Sequence, residues 1–345
     1  MSVLYLVTSL EPVLPGTDAV FQDVSLLCAN FNGEMINLHP EHHVPRYPRL
    51  LFGLGKFALL KSAENRHQVT HVFCAEPYLF PILRCLHNPL YYTVTAGLNA
   101  NAKPRSLDRL SKRARLIVSN KRDVAVLQSW GHTPAAMIGP AVNKSHFSVR
   151  PLPLNNKLTL LMASAPWVAE QFELKGVDIL LDTVKALHFL KLILVWRGLL
   201  YDELVRRVRS RGISDRVEIV NDQVNMSDYL ARSHAAILIA KRPDQIKAYP
   251  HSLLESLAAG KPVVLSATIP MADFVRDNGC GVVIEEINIF TMIKAIRFVM
   301  EHYADLADNA VSLTLETFSV SRMLEMHKKL YEDHTHVGSE SEVRI

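Results

Sequence analysis

The segment AYPHSLLESLAAGKPVV, Ala248 to Val264, sets one carboxylate, Glu255, inside a small apolar run that ends at Gly260 and restarts as Pro-Val-Val. Pro250 suits a first helical position, where a missing N–H costs nothing, and Gly260 suits the stop, so a helix is expected from about His251 to Ala259. The first turn of such a helix presents amides without intrahelical acceptors and the positive end of the dipole, a seat for phosphate oxygens. Glu255 lies one turn in, among Leu253, Leu254, Leu257 and Ala258. A carboxylate buried there needs hydrogen-bond donors. The vicinal hydroxyls of a ribose are suitable donors, and a diphosphate would then fall at the helix terminus. The plainer alternative is a solvated carboxylate favoured by the dipole of its own helix.

The elements around this segment repeat one pattern. SVLYLVTSL, EMINL, VTHVFCA, LYYTVTA and RLIVSN in the first half, and KLTLLMA, KLILVW, RVEIVND, HAAILIA and KPVVLSA in the second, are short apolar runs separated by helix-length stretches. That alternation implies parallel sheets with helical crossovers, in two α/β units. Between Ser119 and Leu158 the chain passes through a stretch rich in Pro, Asn and Gly, which marks the boundary. The expected division is residues 1–150, a first Rossmann-like unit, and 151–318, a second. A crossover helix over 319–333 is expected to return to the first unit, followed by a flexible tail over 334–345. Open parallel sheets bind ligands at the carboxyl ends of their strands, so the site is expected in a cleft between the units.

With 345 residues, nearly half of them apolar and about a fifth charged, the chain has a globular composition. A net charge of +4 is too mild for wholesale nucleic-acid binding. The four cysteines, Cys28, Cys74, Cys85 and Cys280, show no metal-ligand spacing, and no run is long enough to span a membrane. A reduced, cytoplasmic setting follows, with peripheral contact on the inner face of a membrane as an option.

The stretch from Glu255 through AAGKPVV resembles the C-terminal domain of retaining nucleotide-sugar glycosyltransferases of the two-Rossmann-domain type, GT-B, family four, also called glycosyl transferases group 1. That family pairs two glutamates eight positions apart ahead of an Ala-Gly-x-Pro-Val turn. SNKRDVAVLQSWGHTPAAMIGPAVNKSHF, LKGVDILLDTVKAL, KLILVWRG, DRVEIVNDQVNMSDYLARSHAAILIA, DNGCGVVIE and ETFSVSRMLEMHKKLYED are similar to the family's segments in the expected order. The resemblance implies an α/β fold of two Rossmann-like domains facing across a cleft. It implies transfer of a sugar from a UDP- or GDP-sugar to an acceptor hydroxyl, with retention. The donor is a substrate, and neither cofactor nor metal is implied.

By the same resemblance Lys175 and Glu255 are the catalytic candidates. Lys175 holds the donor diphosphate, assisted by Gly16 and Thr17 in LPGTDAV, by Arg197 at a strand end, and by His251, Ser252 and Leu253. Asp222, Gln223 and Val224 fall where the family contacts the base, and Glu255 takes the ribose. Lys247 stands eight positions before Glu255, where the family's first glutamate would touch the donor sugar. With Lys241 and Arg242 it makes a basic loop, and Ala248, Tyr249 and Pro250 complete the sugar segment. That loop is expected to meet an anionic group on donor or acceptor. The family's arginine upstream of Lys175 has no counterpart in SAPWVAEQFE, and Ala96 takes the place of its histidine.

The acceptor is expected to be a saccharide, a lipid-linked molecule or a small molecule, and not nucleic acid. A catalytically silent GT-B protein that binds a nucleotide sugar or supports a partner enzyme is the alternative, with a nucleotide-sugar epimerase behind it. Two further motifs stand outside the scheme. RLLFGLGKFALLKSAENR reads first as a core-facing amphipathic helix and second as a lipid-surface element. KPRSLDRLSKRARLIVSNKR reads first as a solvated basic face and second as contact with an anionic membrane.

Overall fold

The computed structural model describes residues 1–11, 18–40, 47–147, 152–196, 199–313 and 315–340, with side chains described up to Glu332. The chain divides into two compact units. Unit 1 comprises residues 1–11, 18–141 and 316–345, and unit 2 comprises 12–17 and 142–315.

Unit 1 contains β1 (Val3–Val7), α1 (Ala19–Asn30), β2 (Glu34–Asn37), α2 (Phe57–Arg66), β3 (Val69–Cys74), β4 (Leu90–Val94), α3 (Leu107–Arg113), β5 (Arg115–Val118), α4 (Lys121–Ser129) and β6 (Ala136–Met137). Its parallel sheet has the order β2-β1-β3-β4-β5-β6. The central strands β1, β3 and β4 are buried throughout, which is why they read as near-continuous apolar runs. The two-residue period sorts β1 cleanly: Leu4 and Leu6 join one core with Leu60 and Ala63 of α2 and Leu107 and Leu110 of α3. Val3, Tyr5 and Val7 join the other, with Val20, Val24 and Leu27 of α1.

Unit 2 follows with β7 (Leu158–Met162), α5 (Gln171–Leu174), α6 (Val177–Ala186), β8 (Leu190–Val195), α7 (Tyr201–Ser210), β9 (Val217–Val220), α8 (Met226–Ala231), β10 (Ala235–Leu238), α9 (His251–Ala258), β11 (Val263–Ser266), α10 (Ala272–Asn278), β12 (Gly281–Ile284), α11 (Ile289–Glu301) and α12 (Tyr303–Ser312). The second parallel sheet runs β12-β11-β10-β7-β8-β9. From β7 the chain moves outward through β8 and β9, then returns to the other side of β7 to lay down β10. β7 and β10 therefore flank a topological switch point. The expected α/β class with two Rossmann-like sheets is what the chain adopts.

At Glu316 the chain re-enters unit 1 and ends in α13 (Val320–Glu340), helical beyond the position where a tail was expected. Met323, Leu330 and Tyr331 of this helix pack in the core shared with β1 and α1. Polar contacts fasten it as well. His71, buried on β3, bonds Tyr331 Oη through Nδ1 at 2.6 Å and Thr93 Oγ1 through Nε2 at 2.8 Å, while Tyr91 Oη donates to Leu330 O at 2.9 Å.

Candidate active site

α9 is buried on all but one stripe. Leu253, Leu254, Ser256, Leu257 and Ala258 are buried, whereas His251, Ser252 and Glu255 are each half-buried. Residues at i, i+1 and i+4 share a helix face, so the open face of α9 carries the three polar groups singled out from sequence. Glu255 is thus not enclosed as expected, because helical spacing turns it away from the leucines. Pro250 is the N-cap residue rather than the first helical one, with φ −65° and ψ 127°. Its carbonyl accepts from Leu253 N and Leu254 N at 3.1 and 3.2 Å. Gly260, at φ +70°, provides the left-handed stop.

Two further contacts fix the segment that leads into α9. Ser266 Oγ of β11 accepts from Ala240 N and donates to Ala240 O, both at 2.9 Å, and the Thr268 hydroxyl donates to the same carbonyl. Ala248, fully buried, accepts from Met271 N at 3.1 Å. The loop between these anchors holds Lys241, Arg242, Lys247 and Tyr249. Lys247 and Tyr249 are half-buried; Lys241 and Arg242 are exposed. Lys241 Nζ pairs with Glu173 at 2.7 Å, and Arg242 Nε pairs with Asp244 at 2.9 Å. The expected triple basic loop is therefore partly neutralised by its neighbours.

Lys175 follows α5, after β7. It is 6% exposed, and its ammonium donates to Ala165 O at 3.1 Å. Gly176 beside it has φ +64°, and a Cβ there would lie 2.5 Å from Ile239 Cγ2, so only glycine lets this turn close against the end of β10. The main chain adds a second tie, Lys241 N to Leu174 O at 2.8 Å. The loop after β7 and the loop after β10 are thereby joined at the carboxyl ends of neighbouring parallel strands. Sequence reasoning missed Glu173 and Ile239, whose role is visible only once these strands are paired. It also passed over Lys261, 1% exposed, whose ammonium burial pushes down to about 8.

The remaining candidates divide. Asp222 and Gln223 follow β9 and are exposed, with Asp222 Oδ1 accepting from Gln223 N at 2.7 Å. Val224 packs against the cluster of Leu161, Ile193 and Val195, so its side chain serves the core. Gly16, Thr17 and Arg197 lie outside the described residues. Among the described residues no group of three His, Cys, Asp or Glu is gathered to hold a metal ion, and no helix is long and apolar enough to cross a membrane.

With this geometry in place, residues 165–312 match the sequence profile of the family described as "Glycosyl transferases group 1". No curated protein matches the chain by sequence. Among solved structures it is similar to sucrose-phosphate synthase (tll1590) from Thermosynechococcus elongatus, at 14% identity and TM-score 0.77, over 98% of this chain and 100% of that one. It is similar to Anabaena Alr3699/HepE, described in complex with UDP-glucose, at 16% identity and TM-score 0.73, over 97% and 100%. It is also similar to WaaG, a glycosyltransferase involved in lipopolysaccharide biosynthesis, at 14% identity and TM-score 0.69, over 94% and 99%. At such identities these structures speak to the fold alone. The chain thus has the GT-B fold, and its residues 165–312 match the glycosyl transferases group 1 model.

Proposed function

We propose that the protein transfers a sugar from a UDP- or GDP-sugar to an acceptor hydroxyl, with retention of anomeric configuration. The observation that carries this reading is the open face of α9, where His251, Ser252 and Glu255 stand together, at the switch point of the unit 2 sheet. Donor phosphates would lie at the first turn of α9, against the amides of His251, Ser252 and Leu253, with the Lys175 ammonium as a point charge. Glu255 would accept hydrogen bonds from the ribose hydroxyls. Asp222, Gln223 and the Val224 backbone would border the base, and Gly16, Thr17 and Arg197 would assist the diphosphate.

In this mechanism the bond between sugar and phosphate loosens first, and the departing phosphate oxygen takes the acceptor's proton on the same face. The chain binds, orients and stabilises the charge developing on the leaving group. No protein nucleophile is required, and cationic charge comes from Lys175 and the helix end. Lys247, with Ala248, Tyr249 and Pro250 beside it, would border the donor sugar. Lys247, with Lys241 and Arg242 of the same loop, would meet an anionic group on donor or acceptor, Lys241 being held also by Glu173 and Arg242 by Asp244.

Lys247 in place of an acid also favours a second reading, a protein that binds a nucleotide sugar without turning it over. Turnover of neutral and uronic UDP-, GDP- and ADP-sugars by wild type, Lys247→Glu and Lys175→Ala separates the two. The transferase reading requires sugar release that Lys175→Ala abolishes, and binding without release from any donor favours the silent reading. A donor profile unchanged in Lys247→Glu would remove the anionic-group assignment alone.

A further inference from the structure

Lys241 belongs to the loop that follows β10, yet two separate ties bind it to the turn that carries Lys175. Its main-chain N–H donates to Leu174 O at 2.8 Å, and its ammonium lies 2.7 Å from Glu173 Oε1. Glu173 and Leu174 are the last two residues of α5, and Lys175 follows directly. Gly176 closes the same turn so tightly that an added Cβ would lie 2.5 Å from Ile239 Cγ2, two positions before Lys241. The two ties differ in permanence. The main-chain bond belongs to this close approach and keeps the backbone of Lys241 against the residue that precedes Lys175. The ion pair lies at the surface, with the Lys241 side chain 40% and the Glu173 side chain 74% exposed.

An ion pair this exposed gains little Coulomb energy in water and restricts two long side chains, so it opens at small cost. The flexible stem of lysine lets the ammonium swing while the backbone stays in place. Glu173 is an anion at neutral pH, because the hydrogen bond and the charge of Lys241 hold its carboxyl below the ordinary value. Lys175 differs in both respects: it is 6% exposed, and its ammonium donates to Ala165 O at 3.1 Å. The diphosphate seat proposed for unit 2 therefore has one enclosed cation and, tied beside it, a movable cation that sits on an anion. A diphosphate gains negative charge as the sugar leaves it, which a second cation would meet.

We propose that Lys241 exchanges Glu173 for the diphosphate of the nucleotide, which makes Glu173 a built-in competitor for the second cation of the site. This inference rests on the reading of unit 2 as a nucleotide diphosphate site and deepens it. Without nucleotide, Glu173 holds the ammonium. With nucleotide bound, phosphate oxygens take its place, and the Glu173 carboxylate is left to water, to which it is already open. Glu173 thereby limits how tightly a nucleoside diphosphate is held and draws Lys241 back when the product leaves. A monophosphate, with fewer phosphate oxygens to offer, drives the exchange less.

The test is equilibrium titration of UDP, GDP and ADP, and of the corresponding monophosphates, into the full chain as wild type, Glu173→Gln and Glu173→Gln/Lys241→Gln. Circular dichroism and the thermal midpoint check folding, which both changes should spare because the pair is exposed. For a diphosphate that binds wild type, Glu173→Gln is expected to tighten binding about threefold, since the competitor is gone and the cation remains. The double variant is expected to bind about fivefold to tenfold more weakly than wild type, although its net charge is the same. Both shifts should be smaller for the monophosphate. A double variant that binds the diphosphate like wild type would show that the pair stays closed and would overturn the proposal. Affinity unchanged in Glu173→Gln would likewise overturn it, by removing Glu173 as a competitor; in both cases the nucleotide site itself stands. Failure of every nucleotide to bind either wild type or Glu173→Gln would instead remove the site, and the exchange with it.

Discussion

His71 Nδ1 and Tyr331 Oη lie 2.6 Å apart although 260 positions separate them, and this bond fastens the C-terminal helix to the strand at the heart of unit 1. Next to it His327 is fully enclosed, its Nδ1–H donating to Met323 O at 2.8 Å, with no partner for Nε2 among the described residues. Burial pushes the His327 imidazole down to about 4, against a smaller opposing pull from Asp23. Burial, with His327 adding to it, holds His71 well below the usual histidine range.

The consequence is acid sensitivity. An unfolded histidine takes up a proton below about pH 6.5, whereas folded His327 stays neutral until about 4. The unfolded state binds more protons through that window, so stability is full above it and is lost as pH falls through it, by roughly 2 kcal/mol for His327 at pH 5. Urea melts between pH 7.5 and 5 measure this. His327→Leu is expected to flatten the dependence by about that amount, with a residual slope from His71; an unaltered slope would show that His327 titrates normally.

Gly176→Ala is expected to lower the stability of unit 2 by about 2–4 kcal/mol, since alanine is strained at a positive φ and its Cβ would overlap Ile239. A thermal melt reads the loss, and turnover should fall with it even at temperatures where the variant is folded, because the same turn seats Lys175. A melt like that of wild type would mean that the β7 and β10 loops are not locked together.

Lys175→Ala should reduce turnover by about a hundredfold, the usual cost of removing one donor aimed at a developing anion. Lys175→Arg should not restore it, because the ammonium sits in a buried slot against Ala165 O that a planar guanidinium does not fit. Steady-state kinetics on both variants, with circular dichroism as a folding control, decide this. Full activity in the arginine variant would contradict the tight seat.

If Glu255 takes the ribose as proposed, Glu255→Gln should raise KM for the donor about tenfold with a smaller effect on kcat, a charged acceptor being replaced by a neutral one. Equal loss in kcat and kcat/KM would instead place Glu255 at the reacting centre.

The strands and their parallel arrangement were legible in sequence because the central ones are buried on both faces and must be apolar throughout, as VLYLV in β1 and AAIL in β10 show. β6 escaped because it is two residues long. α9 was legible from Pro250 and Gly260, which punctuate a helix by local physics alone. What was not legible is tertiary. That Glu173 neutralises Lys241 across 68 positions, or that the end of β10 demands glycine at 176, follows from the pairing of β7 with β10. Nor can periodicity say how many apolar faces a segment has covered: Leu59 and Leu60 are adjacent, yet one is exposed and the other buried.

The central claim, that unit 2 seats a nucleotide diphosphate between Lys175 and the open face of α9, is tested most directly by equilibrium titration of UDP, GDP and ADP into wild type, Lys175→Ala and Glu255→Ala, without any need for an acceptor. The account predicts that at least one of the nucleotides binds wild type and that each substitution weakens it by about tenfold or more. Binding unaffected by both substitutions, or no binding of any of the three nucleotides to the folded protein, would contradict it.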